Sequence, residues 1–310
     1  MRIAHFSDLH LLALDGVPSW RFLNKRLTGL ANLRLKRASI HRSEYVRAIA
    51  REIARAGVDH VVITGDLTNL ALETEFDLAR DVIEHDLALD PSRVTIVPGN
   101  HDLYTRGARR SRRFESYFAR WLASDLPGIG SSGGEVGFPV VKLRGPAAIV
   151  ALSSAVPRPP LVAAGELGRA QLESLARVLE HPEVRKRTLV LALHHPPAHP
   201  WSRVKTYLEG LRDADALLSL LEPVRSGLVL HGHLHRRIHR SLSTGAGEVQ
   251  QLGATSASLH SDMPDKMAGF NVYDLDEGGL TRVVAFVYEP DAATFRAGTV
   301  PRHVAQPGVS

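Results

Sequence analysis

Five short strings of oxygen and nitrogen donors stand in order along this chain. The strings are Asp8-Leu9-His10, Gly65-Asp66, Gly99-Asn100-His101-Asp102, His194-His195-Pro196 and Gly232-His233-Leu234-His235. Carboxylate, amide and imidazole groups suit Mn, Fe, Zn or Ni, and a chain without cysteine has no thiolate ligands to offer. Together the strings predict a site for two metal ions, and the chemistry of such a site would be hydrolysis at phosphorus.

Each string follows a short apolar run that is typical of a buried strand. These runs cover residues 3–6, 61–64, 94–97, 189–193 and 228–230. Helical periodicity appears between several of them, at 43–56, 73–86 and 166–180. The alternation predicts a layered α/β fold, in which ligands bind outside the carboxyl ends of the strands. We therefore expect the five strings to meet at one edge of the fold.

The pattern changes after the last string. Strand-like runs at 248–252, 270–275 and 281–288 follow one another directly and predict a second, partly antiparallel sheet. Residues 290–310 contain three prolines and few large apolar side chains, so we expect a weakly ordered C-terminal tail. The rest, 1–289, has the size of a single domain.

Composition narrows the class of protein. With 44% hydrophobic residues the chain can bury a sizeable core, and 38 basic against 33 acidic residues give a net charge of +5. This modest excess fits an anionic substrate and argues against nucleic acid as a partner. The sequence has neither an apolar signal region nor about 18 consecutive apolar residues, so we expect a cytoplasmic protein.

In this order the strings resemble the pattern of the calcineurin-like metallophosphoesterase superfamily. That pattern reads Asp-x-His, Gly-Asp, Gly-Asn-His-Asp/Glu, His and Gly-His-x-His, and it is matched here from residue 8 to residue 235 without a missing ligand. The sequence is similar above all to the cyclic-nucleotide phosphodiesterase-like members. The resemblance implies a four-layer α/β/β/α sandwich of two mixed sheets with helices outside.

The resemblance also implies how the ligands are divided between two divalent or trivalent ions, with Mn, Fe or Zn expected. Asp66 would bridge the ions. The other ligands would be Asp8, His10 and His235 for the first ion, and Asn100, His194 and His233 for the second. His194 is preferred to His195 because the family's ligand precedes a residue that is followed by proline. His195 would then contact substrate.

Two such ions can lower the pKa of a bridging water, so that hydroxide attacks a phosphodiester, a phosphomonoester or a pyrophosphate. His101 would contact a phosphate oxygen and protonate the leaving group. Asp102 would fix the tautomer of His101. Arg106 begins an arginine-rich run and would bind substrate phosphate.

A basic amphipathic insertion at 18–42 separates the first string from the first clear helix. Leucines and aromatic residues alternate there with lysines and arginines. Three interpretations remain open: a capping helix packed on the body, an element that meets anionic lipid or a lipid-linked substrate at a membrane surface, and a nucleic-acid-binding strip. The second would make the protein peripherally membrane-associated.

The leading hypothesis is a metal-dependent phosphodiesterase acting on a small phosphate ester. Alternatives are a lipid-linked nucleotide pyrophosphatase such as a lipid A pathway hydrolase, a DNA-processing nuclease, and a non-catalytic scaffold of the same fold. The chain has no long basic domain, which argues against the nuclease. All the expected ligands and His101 are present, which argues against the scaffold.

Overall fold

The computed structural model of the chain describes residues 1–18, 21, 41–126, 128–129, 137–199 and 202–302. The predicted insertion at 18–42 therefore lies outside the described residues, apart from Pro18, Arg21, His41 and Arg42. Arg21 forms an ion pair with Glu73, which also pairs with Arg113 at 2.6 Å. The start of the insertion is thus attached to the body of the protein.

The described residues form two six-stranded sheets. The strands are β1 (Arg2–Phe6), β2 (His60–Ile63), β3 (Val94–Ile96), β4 (Val140–Arg144), β5 (Ala147–Ala151), β6 (Thr188–Ala192), β7 (Ser226–His231), β8 (Ile238–Ser243), β9 (Glu248–Gly253), β10 (Gly269–Asp276), β11 (Gly279–Glu289) and β12 (Thr294–Gly298).

Helices occupy most of the connections between the early strands. The α-helices are α1 (Ser43–Arg55), α2 (Glu73–Asp81), α3 (Arg106–Arg110), α4 (Arg113–Phe118), α5 (Arg169–Glu180), α6 (Pro182–Arg185), α7 (Arg203–Glu209) and α8 (Ala214–Leu221). A π-helical turn, Val82–Leu87, extends α2, and short 3₁₀ turns cover Pro91–Arg93 and Ala119–Trp121. No helix in the described part of the chain combines the length and apolar character needed to cross a membrane.

The first sheet has the order β12-β11-β10-β1-β2-β3. Its strands β1, β2 and β3 run parallel, while β10, β11 and β12 are antiparallel to their neighbours. The carboxyl ends of β1, β2 and β3 therefore meet at one edge, and the first three strings follow directly from them.

The second sheet has the order β4-β5-β6-β7-β9-β8. Strands β5, β6, β7 and β9 are parallel, with β4 and β8 antiparallel at the two edges. A parallel bridge between Ser7, after β1, and Ser256, after β9, joins the two sheets at their carboxyl ends. The last two strings, which follow β6 and β7, are thereby brought to the edge that carries the first three.

Alternation along the strands of the second sheet separates its two faces. In β6, Leu189 and Leu191 pack in a cluster with Leu175 of α5 and Leu217 of α8. Val190, between them, packs in the larger cluster that also contains side chains of the first sheet and of α1. Helices thus cover the outer face and the two sheets face each other, which confirms the expected sandwich of two mixed sheets with helices.

The C-terminal third differs from expectation in two places. The strands after His235 do not form a sheet of their own, because β9 joins the second sheet and β10 and β11 extend the first. The expected weakly ordered tail at 290–310 contains β12, whose residues Thr294 to Gly298 pair with β11. Main-chain pairing, which needs no apolar side chains, orders this segment; residues 303–310 lie outside the described part.

Candidate metal centre

Loops at the carboxyl ends of five strands, β1, β2, β3, β6 and β7, bring the predicted ligands together. The backbone N–H of Asp8 donates to Gly65 O and that of His10 donates to Asp66 O, both at 2.9 Å, so the first two loops run side by side. Left-handed backbone recurs at the ligand positions, with φ between 45° and 67° at Asp8, His10, Asp66, His233 and His235. For residues other than glycine this conformation is strained, and its concentration here is typical of a functional site.

Glycine is required beside two of these ligands. A Cβ atom at Gly99 would collide with the carboxylate and backbone of Asp66, and one at Gly232 would collide with Ser7 and with the Asp8 carboxylate. The spacing of the Gly-Asn-His-Asp and Gly-His-x-His strings therefore reflects close packing of one loop on another as well as the choice of ligands.

The first ligand set consists of Asp8, His10 and His235. The His235 Nε2 atom lies 3.1 Å from Asp8 Oδ1 and 3.0 Å from His10 Nε2. His10 Nε2 lies 3.9 Å from the carboxylates of both Asp8 and Asp66. Two imidazole nitrogens and two carboxylates thus converge on one point.

The second ligand set is built around His194. Its Nε2 atom lies 3.3 Å from Asp66 Oδ2 and 3.2 Å from Asn100 Oδ1. Ring nitrogens of His194, His195 and His233 all lie within 4.8 Å of one another. Asp66 therefore lies between the two sets, as expected for a bridging carboxylate.

Hydrogen bonds on the far side of two ligand rings fix which nitrogen faces the site. Nδ1 of His194 donates to Thr64 O at 2.6 Å, and Nε2 of His233 donates to Glu209 O at 2.9 Å. The remaining nitrogens, Nε2 of His194 and Nδ1 of His233, are the ones available to an ion. Orientation of ligand histidines by backbone carbonyls in this way is common in metal sites.

The electrostatics of the site match a cationic occupant. Burial opposes ionisation of Asp66, but His194 and His101 outweigh burial and hold the pKa of that carboxyl well below its usual range. Burial lowers the pKa of His194, yet Asp66 and Asp8 raise it more, to about 9. Burial, together with His194, lowers the pKa of His233 to about 3.

The residues present therefore fit the implied metal ions. The proton on Nε2 of His194 lies between the oxygens of Asp66 and Asn100. A bound metal ion could replace this proton. Burial and the neighbouring His235 lower the pKa of His10, so this ring is neutral and offers a lone pair. The donors are hard oxygens and imidazoles, the set that Mn, Fe and Zn accept.

His101 lies beside both sets. Its backbone N–H donates to Asp66 Oδ1 at 2.8 Å, its ring centroid is 5.0 Å from that of His10, and its ring stacks on Tyr104. Its Nδ1 donates to Asn69 O at 2.7 Å, which leaves Nε2 as the nitrogen that could exchange a proton with a leaving group.

Asp102 does not fix the tautomer of His101, contrary to our expectation, since the carbonyl of Asn69 does so. The fully buried Asp102 carboxylate accepts hydrogen bonds from the backbone N–H groups of Leu67, Thr68 and Gly99, at 3.2, 2.9 and 2.9 Å. Burial, followed by the nearby charge of Asp66, raises the pKa of Asp102 to about 7. Asp102 is thus a clamp that holds the second and third loops together.

His195 is also placed differently from the prediction that it contacts substrate. It is fully buried, its Nδ1 bonds to Ser154 Oγ at 2.8 Å, and its Nε2 donates to Ala163 O at 2.8 Å. With both nitrogens engaged, its role is structural. Arg106 lies exposed at the first residue of α3, and its contact with phosphate remains a prediction.

Sequence reasoning missed two residues at this site. Asn69 accepts from the His101 ring and its side-chain amide donates to His10 O, so it supports both histidines. The ring centroid of His41 is 5.0 Å from that of His10 and 6.0 Å from that of His235. Asn69 could have been noticed three residues after Asp66, whereas nothing in the sequence connects His41 to the strings.

Comparison with known proteins agrees with this geometry. The chain matches the family model described as calcineurin-like phosphoesterase over residues 1–237. No curated protein sequence matches the chain.

Among solved structures, the chain is similar to a dimetal phosphatase from Danio rerio, with 18% identity, 92% of this chain and 95% of that chain covered, and a TM-score of 0.55. It is also similar to a purple acid phosphatase from yellow lupin (Lupinus luteus) seeds, with 12% identity, 97% and 54% covered, and a TM-score of 0.51. These two likenesses concern the fold. The family match covers most of the chain, and the protein therefore belongs to the calcineurin-like phosphoesterase family.

Proposed function

We propose that this protein hydrolyses phosphodiesters with the help of two bound metal ions. The observation that carries the proposal is the position of Asp66, whose Oδ2 atom lies 3.3 Å from His194 Nε2 and 3.9 Å from His10 Nε2. A single buried carboxylate is thereby shared between two ligand sets. Family membership makes the protein a phosphoester hydrolase, and the choice of a diester is the further step.

Asp8, His10, His235 and Asp66 would hold one ion, and Asp66, Asn100, His194 and His233 the other. When bound, such a pair supplies a water of lowered pKa and positive charge for the oxygens of an in-line displacement. The chain's own residues orient these groups: Thr64 O and Glu209 O fix two ligand rings, and Asp66 Oδ1 holds the His101 backbone.

His101 supplies the proton in this proposal. Its Nδ1 proton is committed to Asn69 O, so Nε2 is the atom that would hold a proton and pass it to the departing ester oxygen. The stacked Tyr104 ring and the bond to Asn69 keep the imidazole in one orientation. Such preorganisation is what general-acid catalysis requires.

The direct test is turnover by the purified protein loaded in turn with Mn²⁺, Fe²⁺ and Zn²⁺. Substrates are bis(p-nitrophenyl) phosphate, p-nitrophenyl phosphate and inorganic pyrophosphate, and the matched control is Asp66→Asn, which keeps the shape and removes the charge. We expect the diester to be hydrolysed fastest and the variant to be inactive. If the monoester or pyrophosphate were hydrolysed faster, that compound class would be the assigned substrate instead of the diester. Absence of turnover with every metal would refute the proposal that the protein is an enzyme.

A specific observation favours a second candidate, a lipid-linked nucleotide pyrophosphate as substrate. Among the described residues, Leu161, Val204 and Tyr207 are large apolar side chains that are 94%, 70% and 61% exposed. They lie on the 157–165 loop and on α7, which meet through a hydrogen bond from Ala163 N to Leu208 O. Exposed apolar groups beside a site suit a substrate with an apolar portion or a membrane surface.

Flotation with vesicles containing anionic lipid tests this candidate. The triple variant Leu161→Ser, Val204→Ser, Tyr207→Ser should lose vesicle binding while it keeps turnover of the soluble diester. If the unaltered protein does not float with the vesicles, the lipid candidate is withdrawn. Cytoplasmic localisation, with or without such a membrane contact, stays a prediction.

A further inference from the structure

A third histidine ring adjoins the first ligand set without belonging to it. His41, two residues before the start of α1, lies with its ring edge-on to His10 at a centroid distance of 5.0 Å and edge-on to His235 at 6.0 Å. It arrives there because its backbone forms an antiparallel bridge with Leu259 and because Arg42 N donates to Ser258 O. The contact joins segments more than 200 residues apart.

A chain of hydroxyl groups anchors this ring to the loop that carries Asp8. Ser256 Oγ donates to the carbonyl of Asp8 at 2.6 Å, and it lies 3.2 Å from Ser258 Oγ. Because a hydroxyl has one proton, Ser256 must accept from Ser258. Because Ser258 donates its only hydroxyl proton to Ser256, it accepts a hydrogen bond from Nδ1 of His41 at 2.7 Å. The imidazole is therefore held by its Nδ1–H, in a fixed position relative to the first ligand set.

His235 and His41 are the partly exposed members of the group of rings around the buried His10. The side chain of His10 is 1% exposed, whereas that of His235 is 23% exposed and His41 is partly exposed. On another flank of His10 lies His101, stacked on Tyr104. A phosphate group held at the ligand sets would thus have an imidazole near it on each of two flanks.

Two flanking imidazoles suit a substrate with two ester groups. On the basis of the proposed function, we propose that His41 contacts the ester group that stays on phosphorus, while His101 serves the ester group that leaves. A phosphomonoester has only the leaving group, so it would not use His41. His41 is therefore a specificity-determining residue that favours diesters over monoesters.

Binding of two ligands that cannot be hydrolysed tests this proposal on metal-loaded protein. Diphenylphosphinate has two organic groups on phosphorus, as a diester anion does, and phenylphosphonate has one. By calorimetry, His41→Ala should weaken diphenylphosphinate binding about 10-fold and leave phenylphosphonate binding within about 2-fold, the size expected for one lost side-chain contact. Ser258→Ala, which removes only the anchor, should change binding in the same direction by a smaller factor.

Kinetics give the parallel readout. In His41→Ala the kcat/KM for bis(p-nitrophenyl) phosphate should fall about 10-fold, with that for p-nitrophenyl phosphate and the metal content of two ions per chain unchanged. His85→Ala, at a mostly exposed histidine of the π-helical turn, is the matched control and should change nothing.

Equal weakening of both ligands, loss of one metal ion, or no change in His41→Ala would each overturn the proposal. Loss of a metal ion would make His41 a ligand instead. Failure of the unaltered protein to hydrolyse either ester would refute the proposed function separately, because the two binding constants would still report on His41.

Discussion

At the scale of single residues, the site contains two neighbouring histidines with different roles. His194 and His195 are adjacent in the chain, but only His194 has a ring nitrogen facing Asp66. His195 has both nitrogens bonded to Ser154 and Ala163 inside the second sheet's loops. Successive side chains at a strand end face opposite ways, so one of the two histidines was expected to face the site. Which one does so was predictable only from the family pattern.

His195→Ala should destabilise the protein without emptying the site. Losing the ring leaves two buried polar groups unpaired and a cavity, which costs about 2–4 kcal/mol of unfolding free energy. Urea denaturation and metal analysis measure the two effects, with His194→Ala as the comparison that should lose metal. Unchanged stability together with a raised KM would restore the original substrate-binding assignment.

His101→Ala should lower kcat by about 100-fold while two metal ions are retained, as expected for loss of a general acid. The loss should be smaller for p-nitrophenyl esters than for phenyl esters, because p-nitrophenolate departs readily without a proton. Steady-state kinetics on the two ester series and metal analysis provide the readouts. An equal loss on both series, or a parallel loss of metal, would mean that His101 only holds the site together.

At the scale of elements, the strand ends and the order of the strings were predictable from sequence. Buried parallel strands are apolar throughout, so β1, β2, β3, β6 and β7 stood out as short runs that end at the ligands. The assignment of β9, β10 and β11 to different sheets was not predictable, because adjacent strands in sequence usually pair. The pairing of His41 with Leu259 depends on that arrangement and was equally hidden.

The Asp102 carboxylate links the loop after β2 to the loop after β3. Asp102→Asn replaces one acceptor oxygen with an amide N–H₂, which faces N–H donors, so we expect a loss of about 2–3 kcal/mol in unfolding free energy. Turnover should fall with it, because Asp66 and Asn100 lie on the two loops that separate. Asp90→Asn is the control, since that exposed carboxylate accepts a hydrogen bond from Ser92 N at the 3₁₀ turn and does not join two loops of the site. Full stability in Asp102→Asn would show that the clamp is dispensable.

At the scale of the whole molecule, Lys142 connects the two sheets away from the metal centre. From β4 of the second sheet, its buried ammonium donates to Pro91 O at 2.7 Å and to Val94 O at the start of β3. Burial, with a smaller effect of Arg144, lowers its pKa from 10.5 to about 8. The unfolded chain therefore binds this proton more tightly than the folded protein does.

Stability should consequently rise with pH between about 8 and 10.5 because of this group, and the cost of burying its charge is fully present below pH 8. Relative to Lys142→Met, the unfolding free energy of the unaltered protein should increase by about 2 kcal/mol between pH 7.5 and 10. Urea denaturation at both pH values measures the difference, and all other titrating groups cancel between the two proteins. If the difference in unfolding free energy between the two proteins did not change with pH, the pKa of Lys142 would not be lowered by burial.

Anomalous X-ray diffraction from crystals soaked in Mn²⁺ would show whether two metal ions share Asp66. We expect two anomalous peaks about 3.5–4 Å apart, the usual separation in two-metal hydrolases, with Asp66 between them. One peak should adjoin His10 and His235, and the other His194 and His233. A single peak, or two peaks that do not both contact Asp66, would contradict the account.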